Sequence, residues 1–283
     1  MRWHTESIDF CSGEGRLHGE ILLPKGEGPF PGAVLCHGMG SDHRAMRPSA
    51  QRIVRKGIAT LAFDFRGHGK SDGFLDASIA KDVIAATRFF SRHPKIDPER
   101  LALVGHSMGA MAAIYAAAEL KNLRALVSIS SPAGIDSRLE RRIEFPRFGF
   151  VLGLGGLRFL ISVLWMWIRG YRLRIHPKKS LELWGKLNPL TAIEKIGAFP
   201  KLFVHYEGDK LAPYEGALKL YEKAGPPKEL LVSKGGFHSA PMFPGKLRRK
   251  WIAWLVSTLT QAKGGSEELG DKPSRTEESL FSG

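Results

Sequence analysis

The chain contains only two cysteines, Cys11 and Cys36, in 283 residues. A disulfide framework or a cysteine-rich metal site needs more, so both are excluded, and we expect two free thiols in a reducing compartment. The first twenty residues contain no apolar segment behind their charges, so the sequence predicts no secretory signal peptide. Together these absences predict a cytoplasmic protein.

Motifs for metals and nucleotide cofactors are also lacking. The ten histidines form no H-E-x-x-H pair and no close cluster with cysteine or aspartate. The segment GLGGL at 153–157 does not follow a predicted strand, so it does not fit a dinucleotide fingerprint, and no phosphate loop is present. We therefore expect no metal and no cofactor.

Positive charge is in excess, with a formal net charge of +14. Nucleic-acid binding is one explanation of such an excess. Half of it, however, lies in residues 136–190, where eleven Lys and Arg accompany four acids around the apolar stretch FGFVLGLGGLRFLISVLWMWIRG, residues 148–170. A basic rim around an apolar surface attracts anionic lipid headgroups, and it is equally common as a plain solvated surface. We expect no nucleic-acid partner, and the oligomeric state stays open.

Short apolar runs alternate with helical patterns along most of the chain, which indicates βαβ units and a mostly parallel sheet. Strands are predicted at 15–24, 32–38, 57–65, 100–106, 123–131, 201–208 and 228–235. Helices are predicted near 45–56, 78–93, 108–120, 214–224 and 245–262. The pattern predicts an α/β protein with helices flanking a central sheet.

The alternation is interrupted between Pro132 and about Ile196, far longer than an ordinary crossover connection. We interpret 133–196 as an inserted apolar helical cap, and residues 1–132 and 197–262 as the core domain. The polar segment 263–283 has no periodicity and is predicted to be a disordered tail.

The pentapeptide Gly105-His106-Ser107-Met108-Gly109 follows a predicted strand and opens a predicted helix. A nucleophilic serine needs a sharp strand-to-helix turn that leaves its hydroxyl accessible, and the two glycines make room for it. The pattern alone is weak, but the strand before it and the alanine-rich helix after it support the assignment of Ser107 as nucleophile.

A serine hydroxyl needs a base, and the base needs an acid that orients it. His238 follows the last predicted strand and is the predicted base. Asp209 follows the preceding strand and is the predicted acid, with Asp136 and Glu207 as rivals for that role. Ser107, Asp209 and His238 all lie at carboxyl ends of predicted strands, where open α/β sheets carry their sites.

Acyl transfer also requires donors for the developing oxyanion. The backbone N–H of Met108, directly after the nucleophile, is one predicted donor. The backbone N–H of Met39, in the turn CHGMGSD after an early strand, is the other. Met39 acts through its backbone, so substituting its side chain should matter only through shape.

The motifs HGMGSD, DFRGHGKSDG, GHSMGA, GDKLAP and GGFH, in this order, resemble the α/β-hydrolase superfamily, and most of all its monoacylglycerol lipase and carboxylesterase branches. The resemblance covers roughly residues 15–132 and 197–260 and implies the α/β-hydrolase fold. It also implies that 64–69 is a structural loop in which Arg66 and His68 have no chemical role. His37 and His106 are expected to support the site.

The apolar stretch 148–170 is long enough to span a membrane. A span would place Arg158 near the bilayer centre and the two halves of the core on opposite sides. Because both ends must return to one sheet, we interpret the stretch as a lid that lines an acyl pocket, with peripheral membrane contact as a further expectation. The predicted pocket residues are Phe159, Leu160, Val163, Leu164 and Trp167.

The sequence therefore predicts a serine hydrolase of carboxylic esters that carry an apolar medium- to long-chain acyl group, of the monoacylglycerol lipase or esterase type. The same triad also serves thioesterases, peptidases, C–C hydrolases and perhydrolases, and fold alone does not choose among them. A non-catalytic lipid-binding module is the alternative of a different class. A binder has no need of all three triad residues.

Overall fold

A computed structural model describes residues 3–134, 168, 170, 172–176 and 187–261. Within these ranges eight strands form one sheet, in the order β1-β2-β4-β3-β5-β6-β7-β8. The strands are β1 (Trp3–Ser12), β2 (Gly15–Pro24), β3 (Phe30–Cys36), β4 (Ala59–Phe63), β5 (Ile96–His106), β6 (Leu123–Ile129), β7 (Lys201–Tyr206) and β8 (Lys228–Ser233). β2 runs antiparallel to β1 and β4, and every pairing from β4 to β8 is parallel. The predicted mostly parallel sheet is confirmed.

Helices cover both faces of this sheet. They are α1 (His43–Val54), α2 (Ile79–Ser91), α3 (Met108–Glu119), α4 (Pro189–Ile193), α5 (Tyr214–Lys223) and α6 (Lys246–Thr260), with a 3₁₀ turn at Ala240–Met242. Successive strand residues point to opposite faces. On β3, Ala33 and Leu35 join the core that contains α1 and α6, whereas Val34 and Cys36 join the core that contains α2 to α5.

The sequence missed β1, which forms the exposed edge of the sheet. Only Phe10 and Ser12 of its ten residues are buried, so its apolar alternation is too weak to indicate a strand. β1 is stabilised by pairing with β2 across a tight turn in which Gly13 has a φ of +62°. That left-handed conformation suits glycine.

The end of the predicted cap packs within the core layer. Leu187, Ala192 and Ile193 are buried among the side chains of α3 and α5. The helix α4 that carries the last two lies near the end of the predicted cap, before β7, and its apolar pattern reflects core packing. The described end of the predicted cap, residues 187–196, therefore packs with the core, and the cap boundary at 196 stays a prediction.

A second described segment of the predicted insertion, residues 172–176, lies against the loop that follows β4. The Arg174 amide donates to the Gly67 carbonyl at 2.6 Å, and the Leu75 amide donates to the Arg174 carbonyl at 3.0 Å. The Gly69 amide donates to the Arg172 carbonyl at 2.9 Å. These bonds attach residues 172–176 to the core on the side where β4 ends.

The other predictions about the insertion and the tail lie outside the described residues. This applies to the apolar stretch 148–167, to the rival acid Asp136 and to the predicted tail, residues 263–283. Among the helices that the structure describes, none has the length and apolar character needed to cross a membrane.

Both cysteines are free thiols, as expected. Cys11 is exposed on β1, and Cys36 is buried at the end of β3. Burial raises the pKa of the Cys36 thiol far above its ordinary value, so this side chain is an unreactive part of the core.

Candidate active site

Ser107 occupies the single-residue turn between β5 and α3. Its φ of 56° and ψ of −122° lie outside the regions that residues with a side chain normally adopt. Such a conformation costs about 1–3 kcal/mol and persists only where neighbouring contacts hold it. One such contact is the Ser107 amide, which donates to the Ile129 carbonyl at 2.9 Å.

The glycines on either side of Ser107 are required by close packing. A side chain at Gly105 would overlap the backbone of Ala110 in the first turn of α3. A side chain at Gly109 would overlap the carbonyl oxygens of Cys36 and His37. α3 can therefore approach β3 and β5 only because both positions lack a Cβ, and this approach keeps the Ser107 turn sharp.

His238 lies between Ser107 and Asp209. The Ser107 hydroxyl donates to His238 Nε2, with 2.7 Å between oxygen and nitrogen. His238 Nδ1–H donates to Asp209 Oδ2 at 2.8 Å. The structure thus brings together the three side chains that the sequence selected, from the ends of β5, β7 and β8. Glu207, the described rival for the acid role, is exposed, and the carboxylate that bonds His238 is that of Asp209.

Two loops meet to join Asp209 to His238. Gly208 donates its amide to the Gly235 carbonyl at 2.8 Å, so the loops after β7 and β8 run backbone to backbone. A Cβ at Gly208 would lie 2.7 Å from the carbonyl oxygens of Gly235 and Gly236, which is too close. The contact depends on glycine and sets the separation of the acid from the base.

Asp209 is buried and accepts four hydrogen bonds. Its Oδ1 accepts from the Leu211 and Ala212 amides at 2.9 and 3.0 Å. Its Oδ2 accepts from His238 and lies 3.2 Å from His205 Nε2. Burial raises the pKa of Asp209, but the hydrogen bonds from His205, His238 and Ala212 outweigh it and hold the pKa well below its ordinary value. The carboxylate is therefore ionised throughout the neutral range.

The turn after β3 lies against Ser107, where the second oxyanion donor is predicted. A Cβ built on Gly38 would be 3.3 Å from the Ser107 Cβ. Met39 follows Gly38 directly, and Met108 is the first residue of α3, where helix amides have no partner within the helix. The structure places both predicted donors in segments that touch the nucleophile, and their role as an oxyanion hole stays a prediction.

His37 and His106 are buried histidines that hydrogen-bond the backbone of segments next to the triad. His106 Nε2–H donates to the His238 carbonyl at 3.2 Å, and the Phe65 amide donates to His37 Nε2 at 3.1 Å. Burial, followed by the nearby His238, lowers the pKa of His106 to about 4. Burial also lowers the pKa of His37. Both rings are therefore uncharged at neutral pH and act as fixed hydrogen-bonding groups.

The loop that contains Arg66 and His68 is hydrogen-bonded to neighbouring segments. Arg66 Nη2 donates to buried Asp82 at 2.7 Å, and the Gly40 amide donates to His68 Nε2 at 3.2 Å. Burial, followed by the proximity of His37, lowers the pKa of His68 to about 3. Neither side chain contacts the three residues at the centre of the site within the described structure, in agreement with a structural role.

Three neighbouring side chains could offer ligands to a cation. Atoms of Asp42, His43 and Asp64 lie within 4.8 Å of one another. Each is already bonded within the protein, since Asp42 Oδ2 accepts from Arg44 Nη2 at 2.6 Å and Asp64 Oδ1 accepts from His43 Nδ1 at 2.7 Å. Their contacts order the loops after β3 and β4, and we assign no metal to them.

His205 is a neighbour of the site that sequence reasoning missed. It lies on β7, four residues before Asp209, and its side chain is fully buried. The only sequence signal for its role was the presence of a histidine inside the apolar strand sequence KLFVHY. A histidine in such a strand equally fits an ordinary core position. The predicted pocket residues Phe159, Leu160, Val163, Leu164 and Trp167 lie outside the described residues.

Comparison with known proteins agrees with this geometry. A family model described as serine aminopeptidase, S33, matches residues 31–164. Peroxisomal succinyl-coenzyme A thioesterase of Mus musculus is 34% identical over 123 residues, which are 42% of this chain and 28% of that protein.

Solved structures are similar over nearly the whole chain. The α/β-hydrolase GrgF of Penicillium sp. sh18 aligns with a TM-score of 0.74 at 21% identity, covering 90% of this chain and 98% of that one. A Pyrococcus furiosus esterase aligns with a TM-score of 0.67 at 22% identity, covering 91% and 90%. With this sheet order, the serine on its strand-to-helix turn and these structural matches, the chain has the α/β-hydrolase fold.

Proposed function

We propose that the protein is a serine hydrolase of carboxylic esters with an apolar medium- to long-chain acyl group, of the monoacylglycerol lipase or esterase type. The observation that carries this proposal is the continuous hydrogen-bonded chain from Ser107 through His238 to ionised Asp209. It is the arrangement that turns a serine hydroxyl into a nucleophile.

In the proposed reaction, the Ser107 oxygen attacks the ester carbonyl carbon while its proton passes to His238 Nε2. The resulting oxyanion is held by the Met39 and Met108 amides. Collapse of this intermediate expels the alcohol, which takes the proton from His238, and leaves the acyl group on Ser107. Water then gives a proton to His238 and attacks the acyl carbon. The bond from that carbon to the Ser107 oxygen breaks, His238 returns the proton to this oxygen, and the free acid leaves.

Exposed apolar side chains around the triad support an apolar acyl group. Leu211 follows Asp209 by two residues and is 69% exposed, and Phe237 directly precedes His238 and is 59% exposed. Met39 lies in the turn that touches Ser107 and is 47% exposed. Such a rim suits an alkyl chain better than a charged substrate. In this proposal the cap residues Phe159 to Trp167 complete the acyl pocket, and peripheral membrane contact of the cap belongs to the same proposal.

A thioesterase activity is the second candidate, and the mouse relative named a succinyl-coenzyme A thioesterase favours it. The chemistry at Ser107 is the same for both, because only the leaving group changes from an alcohol to a thiol. Distinguishing the two requires substrates that share an acyl group and differ in the leaving group.

Initial rates on p-nitrophenyl esters from acetyl to palmitoyl, on 1-monooleoylglycerol and on acyl-coenzyme A thioesters of matched chain length test the proposal. We expect kcat/KM for esters to rise by up to roughly fourfold for each added methylene until the pocket is filled, because each buried methylene is worth about 0.8 kcal/mol. An aminoacyl p-nitroanilide, included because of the family model, should not be cleaved.

The variant Leu211→Ser sharpens this test. Its backbone amide still donates to Asp209, so acetyl ester hydrolysis serves as the internal control. We expect the rates on long-chain esters to fall relative to the acetyl ester. If the wild type had its highest kcat/KM on the acetyl ester, the proposed preference for an apolar medium- to long-chain acyl group would be contradicted. If it strongly preferred thioesters, the protein would be assigned as a thioesterase.

A further inference from the structure

His205 is a polar group in an apolar setting. Its side chain is fully buried on β7, where Phe203 and Val204 are core residues. Burying a polar ring costs free energy unless its nitrogens are bonded, so a buried strand histidine indicates a specific contact. That contact is made by one of its two ring nitrogens.

The contacts of His205 Nε2 determine where its proton lies. The nitrogen is 2.8 Å from the Ala212 carbonyl oxygen and 3.2 Å from Asp209 Oδ2. Both neighbours are acceptors only, so Nε2 must carry the hydrogen and donate to both. The other nitrogen, Nδ1, is buried without a hydrogen-bond partner in the part of the chain that the structure describes. The tautomer assigned by these contacts is therefore Nε2–H.

This donor completes the environment of Asp209. Without it, Oδ2 would be held by His238 alone, while Oδ1 would keep its two backbone amides. The shorter bond to the Ala212 carbonyl also fixes the end of the turn that supplies one of those amides. His205 thus constrains the carboxylate directly and through its turn.

We propose that His205 is a positioning residue of the triad, whose Nε2–H holds Asp209 Oδ2 in the orientation that receives His238 Nδ1–H. His205 is fully buried and bonds Asp209 and the Ala212 carbonyl, so it acts through Asp209 and is not placed in contact with substrate. This inference rests on the proposed hydrolase function, because it assigns a role in orienting the same triad.

The pair His205→Phe and His205→Gln separates this role from simple packing. Phenylalanine keeps the ring volume and removes the donor, whereas glutamine places an N–H close to the position of Nε2. For ester hydrolysis we expect His205→Phe to lower kcat by roughly 10- to 100-fold, the range for a lost hydrogen bond to a charged group, with KM unchanged. His205→Gln should recover kcat to within about fivefold of wild type.

His18→Phe is the matched control, because His18 is also a buried strand histidine bonded to a carboxylate, with 2.9 Å between Nδ1 and Asp9. It lies on β2, away from the triad strands, and should leave kcat unchanged. Wild-type kcat in His205→Phe would overturn the inference. So would equal losses in the Phe and Gln variants accompanied by equal losses of thermal stability, because packing alone would then account for them.

Two further readouts keep the inference testable. A nitrogen-15 NMR spectrum of the wild type reports the tautomer even if the variants do not fold, and a proton on His205 Nδ1 in place of Nε2 would overturn the proposal. The second-order rate of fluorophosphonate labelling should fall in His205→Phe by the same factor as kcat. A wild type that reacts with neither esters nor the probe would contradict the proposed function itself, a result distinct from failure of the His205 inference.

Discussion

Replacement of Ser107 by alanine is expected to lower kcat for the preferred ester by about 10⁴- to 10⁶-fold, leaving only the contribution of substrate binding and the oxyanion donors. The change removes the one atom that attacks the carbonyl and that His238 Nε2 contacts at 2.7 Å. Because alanine lacks only that hydroxyl, KM should change little. Steady-state kinetics on the wild type and the variant, from the same preparation, measure the effect.

Ser91→Ala is the control for this prediction. Ser91 is a serine on α2 whose hydroxyl donates to the Arg88 carbonyl at 2.9 Å near the surface. Its removal should leave kcat and KM at the wild-type values. If Ser107→Ala retained more than about a tenth of the wild-type kcat, the nucleophile would be a different residue and the account of the site would be wrong.

Replacement of Asp209 by asparagine is expected to lower kcat by about 10⁴-fold, through loss of the negative charge and of the correct His238 tautomer. The structure adds a second effect. All four hydrogen-bond partners of the carboxylate are donors. The NH₂ group of an asparagine is also a donor, so in either orientation of the amide it would face two donors and lose their hydrogen bonds. We therefore expect the free energy of unfolding to fall by about 1–3 kcal/mol as well, the cost of unsatisfied buried groups.

Urea unfolding and steady-state kinetics together check the Asp209→Asn prediction. Asp72→Asn is the matched control, because Asp72 is a half-exposed carboxylate paired with Arg16 at 3.6 Å. Such an exposed pair contributes little, so neither activity nor stability should change. An Asp209→Asn variant with wild-type kcat would show that another group orients His238.

The features that could be predicted from the sequence are those with local signals. Apolar runs bounded by turn residues indicated seven of the eight strands. Ser107 could be selected because its glycines and its strand-to-helix context are neighbours in the chain. Asp209 and His238 could be selected because each follows a predicted strand by only a few residues, and parallel strands bring such positions to one edge.

The features that could not be predicted depend on contacts between distant segments. β1 was missed because its stability comes from pairing with β2 and not from its own half-exposed side chains. His205 was missed because its significance arises when the chain returns through Ala212 to meet β7. The packing of α4 at the end of the predicted cap could not be predicted, because an apolar pattern does not tell whether a short helix packs in the core layer or above it.

Covalent labelling of the wild type with a fluorophosphonate probe, followed by identification of the modified peptide by mass spectrometry, tests the central claim most directly. We predict a single phosphonylated serine, Ser107, in the native protein, with labelling lost in His238→Ala and after unfolding. Loss in both cases would show that reactivity depends on the assembled triad. A native protein that does not react, or that reacts at another serine, would contradict the assignment of Ser107, His238 and Asp209 as the catalytic centre.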